Sequence, residues 1–390
     1  MTLPPMPPRV LFLDHSGELG GAELYLLDLA QHRGPRSRVI VFADGPFPKR
    51  LRAERVPHTV LDQGDGIEDV TRGSAVTGML RSIPAVGRMA VAVAREARAY
   101  DVMYANSQKS LIIGGLASVL SRRPLIWNLH DILTADHFSR AIRQLAVLWS
   151  NLFVDHVVVN SEATLRAYRT SGGRRPASIV YNGIRAEEFD AVSEDQVHAL
   201  RGELGLGRGP VVGVFSRLAA WKGQHVLLKA LCDAPAWSAV LVGEALFGAD
   251  AAYATQLRDF VTAQGLESRV HFAGFRSDIP ALMKAVDVVA HTSTAPEPFG
   301  RVVVEGMLAR RPVIAMRAGG PEEIITHRET GLLVAPNAPN ALAEALQWLQ
   351  ANPESAGQLA ERGYDEAKAR FSVERMCRRV DDVVAKVAAG

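Results

Sequence analysis

Twelve short β-branched runs recur along this chain, each followed by a stretch long enough for a helix, and that alternation leaves few folds open. The first six are RVLFLDH (9–15), RVIVFAD (38–44), DVMYANS (101–107), PLIWNLH (124–130), HVVVNS (156–161) and ASIVYNG (177–183). The second six are PVVGVFSRL (210–218), SAVLVGE (238–244), RVHFAGF (269–275), DVVAHTS (287–293), PVIAMR (312–317) and GLLVAP (331–336). Helical periodicity fills the gaps, as in GQHVLLKAL (223–231) and NALAEALQWLQ (340–350). Strand and helix in strict alternation make parallel βαβ units, with the sheet buried on both faces. A polar, strand-free stretch around 184–195 separates the two series. The expected fold is therefore α/β, two Rossmann-like doubly wound domains in tandem over 9–190 and 191–375. At 390 residues the chain is also too long for one ordinary core. Residues 1–8 read as a disordered Pro-rich tip, and 376–390 as a C-terminal helix able to pack back on the N-terminal domain.

In open α/β sheets ligands bind beyond the carboxyl ends of the strands. Here those ends carry polar and glycine clusters, DHSGELGGAE, NLHDI, FSRLAAWKG and HTSTAPEPFG. Two such domains facing each other would line a central cleft from both sides. Composition removes other classes. Hydrophobic residues are 48% and charged residues 22%, a globular profile with no apolar run near the roughly 20 residues that span a bilayer. Cys232 and Cys377 are the only cysteines, so neither a disulfide framework nor a cysteine zinc site is expected, and a cytoplasmic setting fits. The net charge of +2 gives no reason to expect a nucleic-acid partner, although a basic edge facing an anionic membrane stays open.

The stretch PEPFGRVVVEG (296–306) spaces Glu297 and Glu305 eight positions apart around a Phe299–Gly300 pair. A helix beginning near Phe299–Arg301 would turn its first, unpaired N–H groups toward a ligand and favour phosphate there. Glu305, about one and a half turns in, could accept from ribose hydroxyls, and Glu297, before the helix, from sugar hydroxyls. The plain alternative is Glu297 as a cap with Glu305 solvated. SRLAAWKGQ places Arg217 and Lys222 at one strand–helix junction, where two cations can neutralise a leaving diphosphate without a metal, or simply be surface charges. The chain contains no Asp-x-Asp sequence to hold a divalent ion. In DHSGELGGAE, Gly17, Gly20 and Gly21 lead into a helix and could bring N–H groups near phosphate, though neither a dinucleotide nor a Walker fingerprint is present and a tight turn explains them equally. His130 sits at a strand end and reaches either a ligand or a satisfied polar neighbourhood; no catalytic triad order and no metal spacing accompany it.

Taken together these motifs resemble a retaining glycosyltransferase of the GT-B fold, family 4, the group 1 transferases, over almost the whole chain. The most specific part is E-x7-E within PEPFGRVVVEGMLARRPVIAMRAGGPEEII. The resemblance implies an N-terminal acceptor domain, a C-terminal nucleotide-sugar donor domain, and transfer of a hexosyl unit to a saccharide or lipid-linked saccharide. Glu297 would bind hexose hydroxyls and Glu305 the ribose, while the backbone at Gly300, Arg301 and Val302 would meet hexose and diphosphate. Arg217 and Lys222 match the phosphate clamp, Gly20 and Gly21 the N-terminal phosphate loop, and His130 a histidine that bonds the transferred sugar. Glu244, Phe275 and Arg276 fall where the base is seated. The donor, GDP-mannose or a UDP-hexose, is a substrate, so no cofactor and no metal is implied. Gly306 departs from the usual alanine, as does ARRP (309–312) from smaller residues. Rival readings are a sugar-nucleotide epimerase, a phosphorylase-like enzyme and a non-catalytic nucleotide-sugar binding subunit. Finally, FSRAIRQLAVLWSNLF (138–153) puts Phe138, Ile142, Leu145, Trp149 and Leu152 on one helical face, to meet either the core or the inner leaflet of a membrane.

Overall fold

The computed structural model describes residues 6–61, 76–245 and 248–390. They form two compact units, one of the described residues up to Gly183 with Val373–Gly390, the other of Ile184–Ser372. The division falls at Gly183, seven residues before the expected boundary. The physical reason is local pairing: the Ile184 N–H donates to Phe371 O (2.8 Å), which ties the outgoing and returning strands of chain together within the second unit. The return falls at Val373, three residues before the expected 376.

The first unit holds a seven-stranded parallel sheet of β1 (Val10–Asp14), β2 (Ser37–Val41), β3 (His58–Val60), β4 (Val102–Ala105), β5 (Leu125–Leu129), β6 (His156–Val159) and β7 (Ala177–Ile179), in the order β3-β2-β1-β4-β5-β6-β7. Its functional helices are α1 (Gly21–Arg33), α2 (Gln108–Ser121) and α3 (Arg140–Phe153). The C-terminal helix, Val373–Ala389, buries Met376, Cys377, Val380 and Val384 in the core that also holds Tyr25 and Leu26 of α1. Of the expected tip, residues 1–5 lie outside the described residues. Residues 6–8 are not loose: Arg33 Nη1 donates to Pro8 O (3.0 Å) and Arg36 Nε to Pro7 O (2.8 Å).

The second unit holds a six-stranded parallel sheet of β8 (Val211–Phe215), β9 (Ser238–Val242), β10 (Val270–Gly274), β11 (Val288–His291), β12 (Val313–Met316) and β13 (Leu332–Val334), in the order β10-β9-β8-β11-β12-β13. The helices that matter for the site are α4 (Gln224–Asp233), α5 (Gly248–Ala263) and α6 (Arg301–Leu308). Every expected strand is present, and each central one is mostly apolar and buried on both faces, as parallel sheets require. The strand order reverses once in each sheet, between β1 and β4 and between β8 and β11. Such a reversal splays the flanking loops apart and leaves a crevice at the carboxyl ends. The motifs lie at the carboxyl ends of the strands at and beside those two points.

Candidate active site

In the second unit, β8 runs out at Phe215 into the segment that carries Arg217 and Lys222, and its neighbour β11 runs out at His291 into the segment that carries Glu297. The two segments are stitched together. Thr292 Oγ1 donates to Lys222 O (2.8 Å) and Thr294 N–H to Trp221 O (2.7 Å). Lys222 Nζ then donates to both oxygens of Glu297, at 2.9 and 2.8 Å. Trp221 lies under the ammonium, 4.0 Å from Nζ to the ring centroid, and adds a cation–π contact.

Glu297 is held from three sides. Besides Lys222, Ser293 Oγ donates to Oε2 (2.9 Å) and His291 Nε2 lies 3.4 Å from the same oxygen. Burial pushes this carboxyl up, but the Lys222 ammonium and His291 outweigh it and hold Glu297 well below the usual carboxylate range. It is therefore an anion throughout the neutral range, with no proton to give. The capping alternative fails: α6 has Gly300 at its N-cap, with no side-chain cap bond. Gly300 has φ +98°, a left-handed conformation that glycine adopts without strain. No acidic residue stands in the first turn of α6, so none of the helix's own first-turn side chains neutralises its positive end. Glu305 is not simply solvated either, since Arg301 Nη2 lies 3.3 Å from its Oε1.

Phe299 is 2% exposed and packs edge-on against Phe371 at 5.6 Å, so its ring belongs to the core and only its backbone can serve a ligand. Gly306 has a packing reason: a Cβ there would sit 3.0 Å from Val289 and Val313 atoms, because α6 presses on β11 and β12. Arg217 Nε lies 3.4 Å from Asp250 Oδ2 at the start of α5. Beside it, Leu218 N–H donates to Glu244 O (3.0 Å) and Gly243 N–H to Gly274 O (2.8 Å), which brings Glu244 and Phe275 to the same end of the sheet. Phe275 is 71% exposed and offers an open aromatic face. Arg276 does not. Its guanidinium forks onto Asp278 (2.9 and 2.7 Å) and reaches Glu203 (2.6 Å), so it braces the loop instead of presenting its charge to a base.

In the first unit, Asn106 follows β4 and Asn128 lies within β5, at the same height, since Ala105 is level with Trp127. Asn128 Nδ2 donates to Asn106 Oδ1 (2.9 Å), and His130 Nε2 lies 2.9 Å from that oxygen and 2.7 Å from Asn128 Nδ2. Tyr25 meets the imidazole edge-on at 4.9 Å. His130 is thus an oriented side chain at the end of β5. Asn106 Nδ2 also donates to the buried Asp14 (2.6 Å). Gly20 opens α1, but its N–H donates to Glu23 Oε2 (2.9 Å), so in this state that group is satisfied internally, and Gly21 begins the helix.

Burial and the neighbouring Asp14 charge push the Glu23 carboxyl up to about 7. Between the ordinary carboxylate range and pH 7 the folded chain then binds a proton that the unfolded chain has released. Stability from this group is present at low pH and lost as pH rises through 7. Glu23→Gln fixes the neutral form and keeps an acceptor for Gly20. Thermal unfolding should show the variant more stable than wild type at pH 8, by up to about 3 kcal/mol, and nearly equal to it at pH 4, below the unfolded carboxylate range; equal melting at pH 8 would contradict the raised Glu23 carboxyl.

Ser293, His291, Trp221, Asp250, Asn106 and Asn128 were not singled out from the sequence. Only the two asparagines left a signal, one late in each of the neighbouring runs DVMYANS and PLIWNLH.

Residues 198–366 match the family model described as glycosyl transferases group 1, and residues 19–188 that of glycosyltransferase family 4. Among solved structures, HepE of Anabaena in complex with UDP and glucose is 40% identical, over 97% of this chain and 99% of that one, with a TM-score of 0.88. The same protein in complex with UDP-glucose aligns with a TM-score of 0.86. The D-inositol 3-phosphate glycosyltransferase of Corynebacterium glutamicum is 26% identical over 374 residues, 90% of this chain and 88% of its own length. The lipopolysaccharide core biosynthesis glycosyltransferase LpsE of Rhizobium meliloti is 32% identical over 165 residues, which is 42% of this chain and less than half, 46%, of LpsE.

Proposed function

This chain belongs to the group 1 glycosyl transferases, and we propose that within that family it moves a hexosyl unit from a UDP-sugar to a saccharide or lipid-linked saccharide, with retention and without a metal. The observation that carries the proposal is the Lys222–Glu297 pair, set at the β8/β11 reversal beside the N-terminus of α6. HepE, whose complexes hold UDP and UDP-glucose, makes UDP-glucose the first donor to test ahead of GDP-mannose. LpsE, named for lipopolysaccharide core biosynthesis, favours an acceptor from polysaccharide or glycolipid assembly. Such acceptors sit at the cytoplasmic face of a membrane, and that is the proposed place of work.

In this reading the diphosphate lies at the first N–H groups of α6, those of Arg301 and Val302. Lys222 and Arg217 take up the charge that grows on it, in place of a divalent ion. Both cations are held by carboxylates, Glu297 and Asp250, which an incoming diphosphate would compete with. Glu305 accepts from ribose and Phe275 stacks on uracil. The bond from the anomeric carbon to the β-phosphate oxygen breaks through an oxocarbenium-like state. The acceptor oxygen bonds to the anomeric carbon on the same face, and its proton passes to the departing phosphate. Glu297, a permanent anion, stabilises the positive ring and holds its hydroxyls.

The test is thermal unfolding against UDP, GDP and their glucose and mannose conjugates, in EDTA. UDP-glucose at 100 times its dissociation constant should add about 2.7 kcal/mol, with the gain unchanged by chelator and reduced in Glu305→Ala. A shift that requires a divalent ion would overturn the metal-free part, and no shift with any nucleotide would overturn the site.

A further inference from the structure

The reversal between β1 and β4 in the first unit carries groups that the proposed reaction does not use. Asp14 closes β1 and is fully buried. Its Oδ1 accepts from Ser16 N–H (3.0 Å) and its Oδ2 from Asn106 Nδ2 (2.6 Å). The next residue, His15, leaves the core, with its side chain 36% exposed. Its Nδ1 lies 2.9 Å from Ser107 Oγ and 3.6 Å from Asp14 Oδ1. Ser107 follows β4 as the N-cap of α2, so the ring is held by the helix beside it. Nε2 has no partner among the described residues.

Which ring nitrogen carries the proton follows from counting hydroxyl protons. Ser110 has one, and its Oγ donates it to Ser107 O (3.0 Å). Ser110 Oγ therefore meets Ser107 Oγ (2.9 Å) as an acceptor, and that contact takes the one proton of the Ser107 hydroxyl. Ser107 Oγ also receives Ser110 N–H (3.2 Å), so it has only a lone pair left for the imidazole. The bond between them needs a proton on Nδ1, and Asp14 beside Nδ1 favours the same tautomer. The neutral ring then turns a lone pair outward at Nε2. Asp14 also reaches His130 through Asn106, so one buried side chain orients two imidazoles beside the same reversal. A buried carboxyl disfavours the fold unless it is fully bonded, and here its bonds set the direction of these rings.

We infer that His15 Nε2 accepts a hydrogen bond from a hydroxyl of the acceptor saccharide. Open α/β sheets bind ligands in the crevice at a strand-order reversal. A fixed lone pair there selects a donor. A saccharide hydroxyl is such a donor, whereas an ionised phosphate offers only acceptor oxygens. His15 holds and orients the hydroxyl and takes no proton from it. The inference rests on the glycosyl-transfer reading only in calling the saccharide an acceptor.

The experiment is nitrogen NMR of the full chain, isotope-labelled at histidine, with UDP present and the methyl glycosides of glucose, galactose, mannose and N-acetylglucosamine added in turn. His15 is assigned from the signals that His15→Gln removes. Its neutral form should carry the proton on Nδ1, and at least one glycoside should move the Nε2 resonance. Ser110→Ala leaves His15 in place but releases the Ser107 hydroxyl proton toward Nδ1. The ring should then shift to the Nε2–H form and bind that glycoside about threefold or more weakly. His15→Asn, whose amide stops short of the Nε2 position, should weaken binding about three- to tenfold, and His15→Gln, which returns an acceptor there, by less. With UDP-glucose as donor the same ratios should appear in the acceptor KM, with kcat within about threefold of wild type. An Nε2–H tautomer in the wild type, no movement with any glycoside, or wild-type binding by His15→Asn would overturn the inference. Glycoside binding with these features but no transfer from UDP-glucose would keep the hydroxyl site and overturn the glycosyl-transfer reading instead.

Discussion

Lys222→Ala is expected to lower kcat by about 10²- to 10³-fold while weakening UDP binding by less than about tenfold. The ammonium is placed where charge grows as the diphosphate leaves, so its interaction strengthens in the transition state. The same change leaves the Glu297 carboxylate with only Ser293 and His291, although its side chain is 13% exposed. An anion stripped of its ion pair in that setting should cost the fold about 2 kcal/mol or more. Lys222→Ala/Glu297→Gln isolates the stability effect, because it removes the stranded charge, although it also takes the Glu297 carboxylate out of the proposed site. Stability in urea should recover while turnover stays low. Recovery of both would mean that Lys222 acts only by keeping the second unit folded.

The second large effect is expected from Gly223→Ala, which touches no ligand. Gly223 joins the Lys222 turn to α4 at φ +69°, and a Cβ there would lie 2.0 Å from Thr292 O. That carbonyl belongs to backbone and cannot swing away. The turn must lift, and the bonds from Thr292 Oγ1 to Lys222 O and from Thr294 N–H to Trp221 O go with it. We expect a loss of about 2–4 kcal/mol and a fall in kcat of about 10²-fold. Gly357→Ala is the control. It lies exposed within helix Pro353–Arg370 with nothing within 4 Å of the added methyl, and should stabilise by about 1 kcal/mol with full activity. Equal effects of the two substitutions would show that the 220–223 turn does not place Lys222.

The fold was legible because each central strand is mostly apolar on both faces and closes on a polar or glycine cluster. The strand not foreseen, His58–Val60, shows the limit: three half-buried residues on the sheet edge carry neither an apolar run nor alternation. The Glu297, Glu305 and Lys222 positions stood out through spacing. Their partners did not, because contact across a parallel sheet depends on strand order. Nothing in the sequence brings Asp250 to Arg217, or ranks Ser293 above its polar neighbours. Arg276 illustrates the converse. The family resemblance put it where the base is seated, yet Glu203, 73 residues away, engages it together with Asp278. The early boundary has the same cause, since Ile184 is claimed by Phe371, a pairing visible only once the chain returns.

The most direct test of the central claim is proton NMR of the first sugar product, with UDP-glucose, a pool of saccharide and polyprenyl-linked saccharide acceptors, and EDTA. The account predicts release of UDP and an anomeric signal with the α configuration of the donor, both lost in Lys222→Ala. A β product, a requirement for a divalent ion, or donor that is converted without any transfer or UDP release would contradict it.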